Sequence, residues 1–102
     1  VIENVCKNAI DAMEGDGSLT IRVENEGRHA VMDIYDTGKG LPKSAWKKIF
    51  YPGYTTKKRG WGLGLSLAKR IIEEYHHGRI FVKSSEIGKG TCIRIIMKTS
   101  ID

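Results

Sequence analysis

The chain has 102 residues, 40% of them hydrophobic and 28% charged, which is room for one globular domain and not two. No apolar run approaches the roughly 20 residues that span a bilayer, and the start has no secretory-leader pattern. The net charge of +5 points to a polyanionic partner, but the positive residues do not gather into the single long stripe that a nucleic-acid surface would show.

Residues Val1 to Glu14 have a helical period, with Ile2, Cys6, Ala9, Ile10 and Met13 on one apolar side. Asn4, Asn8 and Asp11 fall on another side at i, i+4, i+7. The chain opens on Val1, already in helical sequence, so it reads as a fragment of a longer protein. Gly15-Asp16-Gly17-Ser18 ends the helix and turns the chain. Leu19 to Glu24 alternates as a strand, Asn25-Glu26-Gly27 turns, and Ala30 to Tyr35 is a second strand, predicting an antiparallel hairpin. Asp36-Thr37-Gly38-Lys39-Gly40 breaks that strand, and Pro42 suits the first turn of a short helix running to about Phe50.

From Tyr51 to Trp61 there is no period, only Pro, Gly, Thr and basic residues, as in a lid loop. Leu63 to about His76 reads as a second amphipathic helix, with two apolar rows, Leu65-Ala68-Ile72 and Leu67-Ile71-Tyr75, as its buried side. Gly78 marks its end. Ile80 to Val82 and Thr91 to Met97 are two further strands joined by a Gly88-Lys89-Gly90 turn. The order predicts an α+β fold: helices packed on one face of a mainly antiparallel sheet, both long helices covering the same apolar face. Cys6 and Cys92 have no Cys or His at metal-ligand spacing and read as buried free thiols, with a disulfide left open.

Four constellations carry chemistry. Asn4 and Asn8, one helical turn apart, are costly in a helix interior, and an amide oxygen is a hard neutral ligand suited to Mg²⁺; a solvated helix face is the competing reading. Asp36-Thr37-Gly38-Lys39-Gly40 puts a carboxylate at a strand end, where it can accept from an exocyclic amine, with glycines that let a flat ring approach; an ordinary Asp-Gly turn competes. Gly60-Trp61-Gly62-Leu63-Gly64-Leu65-Ser66 opens a helix and exposes N–H groups to phosphate, without the preceding strand of a dinucleotide fingerprint or the Gly-Lys-Ser/Thr of a P-loop. Tyr54-Thr55-Thr56-Lys57-Lys58-Arg59 supplies hydroxyls and cations that can fold over a triphosphate, or else is a solvated basic loop.

Taken in chain order, these stretches resemble the catalytic ATP-binding domain of sensor histidine kinases, within the superfamily shared with DNA gyrase, MutL and the heat-shock chaperone ATPases. Glu3-Asn4-Val5-Cys6-Lys7-Asn8-Ala9-Ile10-Asp11-Ala12-Met13 resembles the N box. Asp36-Thr37-Gly38-Lys39-Gly40 matches the first glycine box. Ile49-Phe50-Tyr51-Pro52 with Tyr54-Thr55-Thr56-Lys57 is similar to the F box, Gly60 to Leu65 to the second glycine box, and Gly88-Lys89-Gly90-Thr91 to the last Gly-x-Gly-Thr element.

The resemblance implies a two-layer α/β sandwich of the Bergerat type over residues 1–102, with a mixed, mainly antiparallel sheet, trimmed of the strand and helix that usually precede the N box. It implies ATP and Mg²⁺ as ligands, with Asn8 on the metal and Asn4 near the phosphates. Asp36 would accept from the adenine amino group, Gly38 and Gly40 would floor the pocket, and Thr91 would sit behind the base through water. Thr55, Thr56 and Lys57 would belong to the lid, and Gly60, Gly62, Leu63, Gly64 and Leu65 would line the phosphates. Asp11, Ala12, Leu41, Tyr54 and Trp61 complete the expected ATP-binding set.

Asn4 stands where the gyrase and chaperone branch carries a water-activating Glu, and an amide cannot take that proton, which favours phosphoryl transfer over hydrolysis. Trp61 replaces a usually small residue, Gly53 a usual aromatic, and His76-His77-Gly78 a frequent His-Gly-Gly. No phosphoacceptor helix is present; His29, His76 and His77 read as structural or surface residues, so no catalytic residue is expected within the fragment. The implied partners are a dimerisation and histidine phosphoacceptor domain of the same protein and, indirectly, a response regulator, with no nucleic acid. The implied location of this portion is cytoplasmic, on a parent that can be membrane-bound. Alternatives are a serine kinase of the anti-sigma type and a non-catalytic nucleotide-binding module of the same fold.

Overall fold

The computed structural model describes residues 2–14, 16–54, 64–75 and 77–98. Two hairpins make the sheet. The first joins β1 (Leu19–Glu26) to β2 (His29–Asp36), the second β3 (Arg79–Glu86) to β4 (Gly90–Lys98). The strand order is β1-β2-β4-β3, so β2 and β4 pair in the centre, and each of these pairings is antiparallel.

The first hairpin closes on the Glu26–His29 pair with a two-residue turn, and Gly27 at φ +65° takes its first central position. The turn falls later than the expected Asn25-Glu26-Gly27, because Asn25 and Glu26 still pair with Ala30 and His29 of β2. The second hairpin closes on Glu86–Gly90. β3 runs well past the expected Val82, through Lys83-Ser84-Ser85-Glu86, with a register shift between Val82 and Ser84. A bulge of this kind twists the strand end and re-aims its side chains.

One sheet face carries the core. Ile34 from β2, Ile80 and Val82 from β3, and Ile93 and Ile95 from β4 pack against helices α1 (Ile2–Met13) and α2 (Gly64–Arg70). α1 contributes Val5, which is fully buried. Its buried stripe is therefore turned toward Val5 and Ala9 and away from Ile10, which is 50% exposed, contrary to the expected apolar side.

In α2 only one of the two predicted rows is covered. Leu65, Ala68 and Ile72 are in the core, whereas Leu67 and Tyr75 are exposed and Ile71 is half-buried. The helix continues as a wider π-helical turn, Ile71–Tyr75. His77, at φ 51°, is the left-handed residue behind it, not Gly78. Gly78 is needed for a different reason: a Cβ there would lie 2.2 Å from the Ile96 carbonyl oxygen. The segment after Pro42 forms two 3-10 turns, Lys43–Ala45 and Lys48–Phe50, in place of one short helix, and they insert Ala45, Ile49 and Phe50 into the core.

The opposite face of the sheet is closed by an ion pair. Asp33 on β2 lies across from Arg94 on β4 and accepts from its Nε at 2.7 Å and a terminal guanidinium nitrogen at 2.8 Å, with Lys83 Nζ at 3.6 Å. The bonds from Arg94 hold the Asp33 carboxyl below its usual range. Cys92 is buried on this face and Cys6 half-buried on the helical side, both as free thiols; burial raises the Cys92 thiol. Among the described residues no helix is long and apolar enough to cross a membrane.

Candidate functional site

The candidate site is built on the loop that leaves β2. Along β2 the pleat alternates two buried acids: Asp33 on the ion-paired face and Asp36 on the helical face. They are held in different ways. What opposes the desolvation of Asp33 is two cations. For Asp36 burial dominates and raises the carboxyl above its usual range, while the backbone N–H groups of Gly38 and Thr91 partly counter it. The Gly38 N–H donates to Asp36 Oδ1 at 2.9 Å. A carboxylate accepts about four hydrogen bonds, so capacity remains for an amino group.

The loop after Asp36 is clamped from both sides. On one side Thr37 Oγ1 accepts the Ser18 N–H at 2.9 Å and reaches Met13 Sδ at 3.6 Å, tying the loop to the end of α1 and the start of β1. On the other side the β3–β4 hairpin holds it. The Gly88 N–H donates to the Lys39 carbonyl at 2.8 Å, and the Leu41 N–H donates to Ser85 Oγ at 2.7 Å. The Leu41 carbonyl accepts from Trp46 Nε1 at 3.3 Å.

Two glycines make the close approach possible. Gly40 has φ +75°, and a Cβ there would lie 2.2 Å from the Glu86 carbonyl oxygen. A Cβ on Gly90, at φ +134°, would lie 2.0 Å from the Asp36 carbonyl oxygen. Backbone therefore abuts backbone across the floor of the loop, and side chains are excluded there.

Of the residues expected at the site, Asp36, Gly38, Gly40, Leu41 and Thr91 are brought together at the end of the β2–β4 pair, where Asp36 and Thr91 are register partners. Tyr54 is half-buried against the core, and its N–H bonds the Tyr51 carbonyl at 3.1 Å. Gly64 opens α2, and Leu65 is buried with its side chain in the core. The side chains of Asn4, Asn8, Asp11 and Ala12, and Thr55, Thr56, Lys57, Gly60, Trp61, Gly62 and Leu63 entirely, lie outside the described residues. His29 and His77 are exposed, and His76 lies outside the described residues.

Sequence reasoning missed Ser85 and Trp46. Both act on the backbone of Leu41, and neither sits in a recognisable motif. The only available signal for Ser85 was a polar residue shortly before the Gly-Lys-Gly-Thr turn.

A family model described as histidine kinase-, DNA gyrase B- and HSP90-like ATPase matches residues 1–101. The chain belongs to this family. Sporulation kinase C of Bacillus subtilis is 38% identical over 102 residues, which is all of this chain and 23% of that protein. The catalytic domain of histidine kinase ThkA superposes with a TM-score of 0.80 at 32% identity, covering 94% of this chain and 62% of that one. Histidine kinase ThkA in complex with response regulator protein TrrA superposes with a TM-score of 0.80 at 28% identity, covering 97% of this chain and 27% of that one. The chain thus spans about a quarter of the length of the curated kinase it matches. It has the α/β fold of the histidine kinase ATPase domains.

Proposed function

We propose that the chain is the ATP-binding catalytic domain of a two-component sensor histidine kinase, spanning residues 1–102, which gives the γ-phosphoryl group of ATP to a histidine on a separate phosphoacceptor domain of the same protein. The observation that carries this reading is Asp36: a buried carboxylate that, among the described residues, is met by the backbone N–H groups of Gly38 and Thr91, at the end of a glycine-rich loop. A buried carboxylate is the acceptor that an adenine amino group needs. The Cβ-free approach of Gly40 to the Glu86 backbone and of Gly90 to the Asp36 backbone fixes the loop against which that base would rest.

In this reading Asp36 accepts from the base, Gly38, Gly40 and Leu41 floor it, and Thr91 stands behind it. Asn8, with Asn4, Asp11 and Ala12 on the same helix, faces the phosphates and holds Mg²⁺, which when bound supplies charge neutralisation for phosphoryl transfer. Tyr54, Thr55, Thr56, Lys57 and Trp61 form the lid, and the backbone of Gly60, Gly62, Leu63, Gly64 and Leu65 lines the phosphates. Asn4 in place of a carboxylate leaves no group there to activate water, so the module positions the nucleotide and a partner brings the nucleophile. A response regulator is the downstream partner, as the ThkA complex supports, and the domain works on the cytoplasmic side.

The test is transfer of label from γ-labelled ATP in the intact protein. The expected product is an acid-labile, base-stable phosphohistidine that maps outside residues 1–102 and is lost in Asn8→Ala. Label on serine, or on a histidine within these residues, contradicts the assignment.

A further inference from the structure

Among the described residues the hydroxyl of Ser85 has three polar neighbours: the Leu41 N–H at 2.7 Å, the Gly90 carbonyl oxygen at 3.0 Å and Thr91 Oγ1 at 2.8 Å. A serine hydroxyl has one proton to give and two lone pairs to receive with. The amide of Leu41 can only donate, so it takes one lone pair. The carbonyl of Gly90 can only accept, so it takes the proton. Thr91 must then be the donor in the remaining contact.

The reverse polarity, Ser85 donating to Thr91, would set a lone pair of Ser85 against the Gly90 carbonyl oxygen with no proton between them. One arrangement alone satisfies all three contacts. Its consequence falls on Thr91, which is buried beside Asp36 as its register partner. With its proton committed to Ser85, Thr91 Oγ1 offers only lone pairs toward the pocket. Asp36, when ionised, also offers only lone pairs.

We propose that Ser85 is a specificity-determining positioning residue: by fixing the hydroxyl polarity of Thr91 it makes the inner wall of the base pocket all-acceptor. Such a wall receives the amino group of a 6-aminopurine, directly or through water, and repels the carbonyl oxygen of a 6-oxopurine. Freed from Ser85, the Thr91 hydroxyl could rotate and donate to that oxygen. The same serine also holds the Leu41 N–H, so its loss loosens the pocket floor for any base. The two effects separate in their signatures: the floor acts on all purine nucleotides alike, whereas the polarity acts on the ratio between them.

This inference rests on the nucleotide reading of the site, and the experiment keeps the two apart. The affinities of Mg²⁺-ATP and Mg²⁺-ITP are measured by calorimetry in the intact protein and in Ser85→Ala, Ser85→Cys and Ser85→Thr. ITP differs at the 6-position and carries no 2-amino group to confuse the comparison. The wild type is expected to bind ATP in preference to ITP. Ser85→Ala, or the volume-conserving Ser85→Cys should the alanine variant not fold, is expected to narrow that preference by roughly three- to tenfold, the range of one net hydrogen bond. Ser85→Thr, which keeps the hydroxyl, is expected to restore it. A uniform loss for both nucleotides, with the ratio unchanged in a wild type that binds ATP, overturns the polarity role and leaves Ser85 merely structural. A wild type that binds neither nucleotide overturns this inference together with the reading beneath it.

Discussion

Substituting Gly40 by alanine separates the demands of a tight turn from the demands of a pocket floor. A Cβ at Gly40 would stand 2.2 Å from the Glu86 carbonyl oxygen, 2.6 Å from the Glu86 carbonyl carbon and 2.9 Å from Ile87 Cα, where ordinary contact begins at 3.4 Å. All three atoms are backbone, so no side chain can swing aside; the loop and the β3–β4 hairpin must part by about 1 Å, the scale of overpacking that costs roughly 1–3 kcal/mol. Gly40 also has φ +75°, and a left-handed conformation costs an L-residue about 1–2 kcal/mol more. The expected loss is therefore about 2–5 kcal/mol, a large share of the roughly 5–15 kcal/mol typical of a domain.

Gly27 supplies the control. It sits at φ +65° with nothing within 4 Å of its would-be Cβ, so Gly27→Ala is expected to cost only the conformational part, about 1–2 kcal/mol. Urea unfolding without nucleotide measures both, read as midpoint shifts at constant slope. The excess at Gly40 isolates the close approach of the loop to the hairpin. Equal losses at the two glycines would refute the claim that backbone contact against Glu86 shapes the site.

Asp36→Asn is expected to weaken ATP binding by about 10- to 150-fold, the value of a hydrogen bond to a charged acceptor, checked by calorimetry. Without ligand the same variant should be more stable at neutral pH. Burial raises the Asp36 carboxyl above its usual range, so the native state holds that proton more tightly than the unfolded chain. Stability is then lost as pH rises from the unfolded value through the folded one, and the asparagine variant should lack this loss in urea midpoints measured across that window. Nucleotide affinity of the unaltered protein should move the other way, falling as pH drops through the raised Asp36 value, because a protonated carboxyl no longer offers its full set of acceptors.

What was legible in the sequence followed from period and from turn chemistry. The alternation of Leu19, Ile21 and Val23 and the apolar runs of β2 and β4 predict both hairpins, and Gly38, Gly40 and Gly90 read as turn glycines; that Gly40 and Gly90 lie where backbone abuts backbone shows only in the structure. Period could not decide between the Leu65-Ala68-Ile72 and Leu67-Ile71-Tyr75 rows of α2, since both are apolar at helical spacing and only the partner surface selects one. The same ambiguity displaced α1, where Val5 is buried and Ile10 is half exposed.

Lys83-Ser84-Ser85-Glu86 has poor strand character on its own, so the sequence predicts a shorter β3; its place in the sheet comes from pairing with β4, a tertiary effect. That misreading hid Ser85. The acids of β2 teach a related lesson: Asp33 and Asp36 are three residues apart and both buried. Only the positions of Arg94 and Lys83 show that the first is satisfied by cations while the second is left with backbone N–H groups.

The central claim is that the Asp36–Leu41 loop and Thr91 hold the base of ATP. Backbone amide shifts recorded while a non-hydrolysable Mg²⁺-ATP analogue is titrated into the protein test it most directly. The largest movements are expected at Gly38, Gly40, Leu41 and Thr91, and they should vanish in Asp36→Asn. Saturable movements confined instead to the Asp33–Arg94 face of the sheet, with Gly38 and Thr91 still, would contradict it.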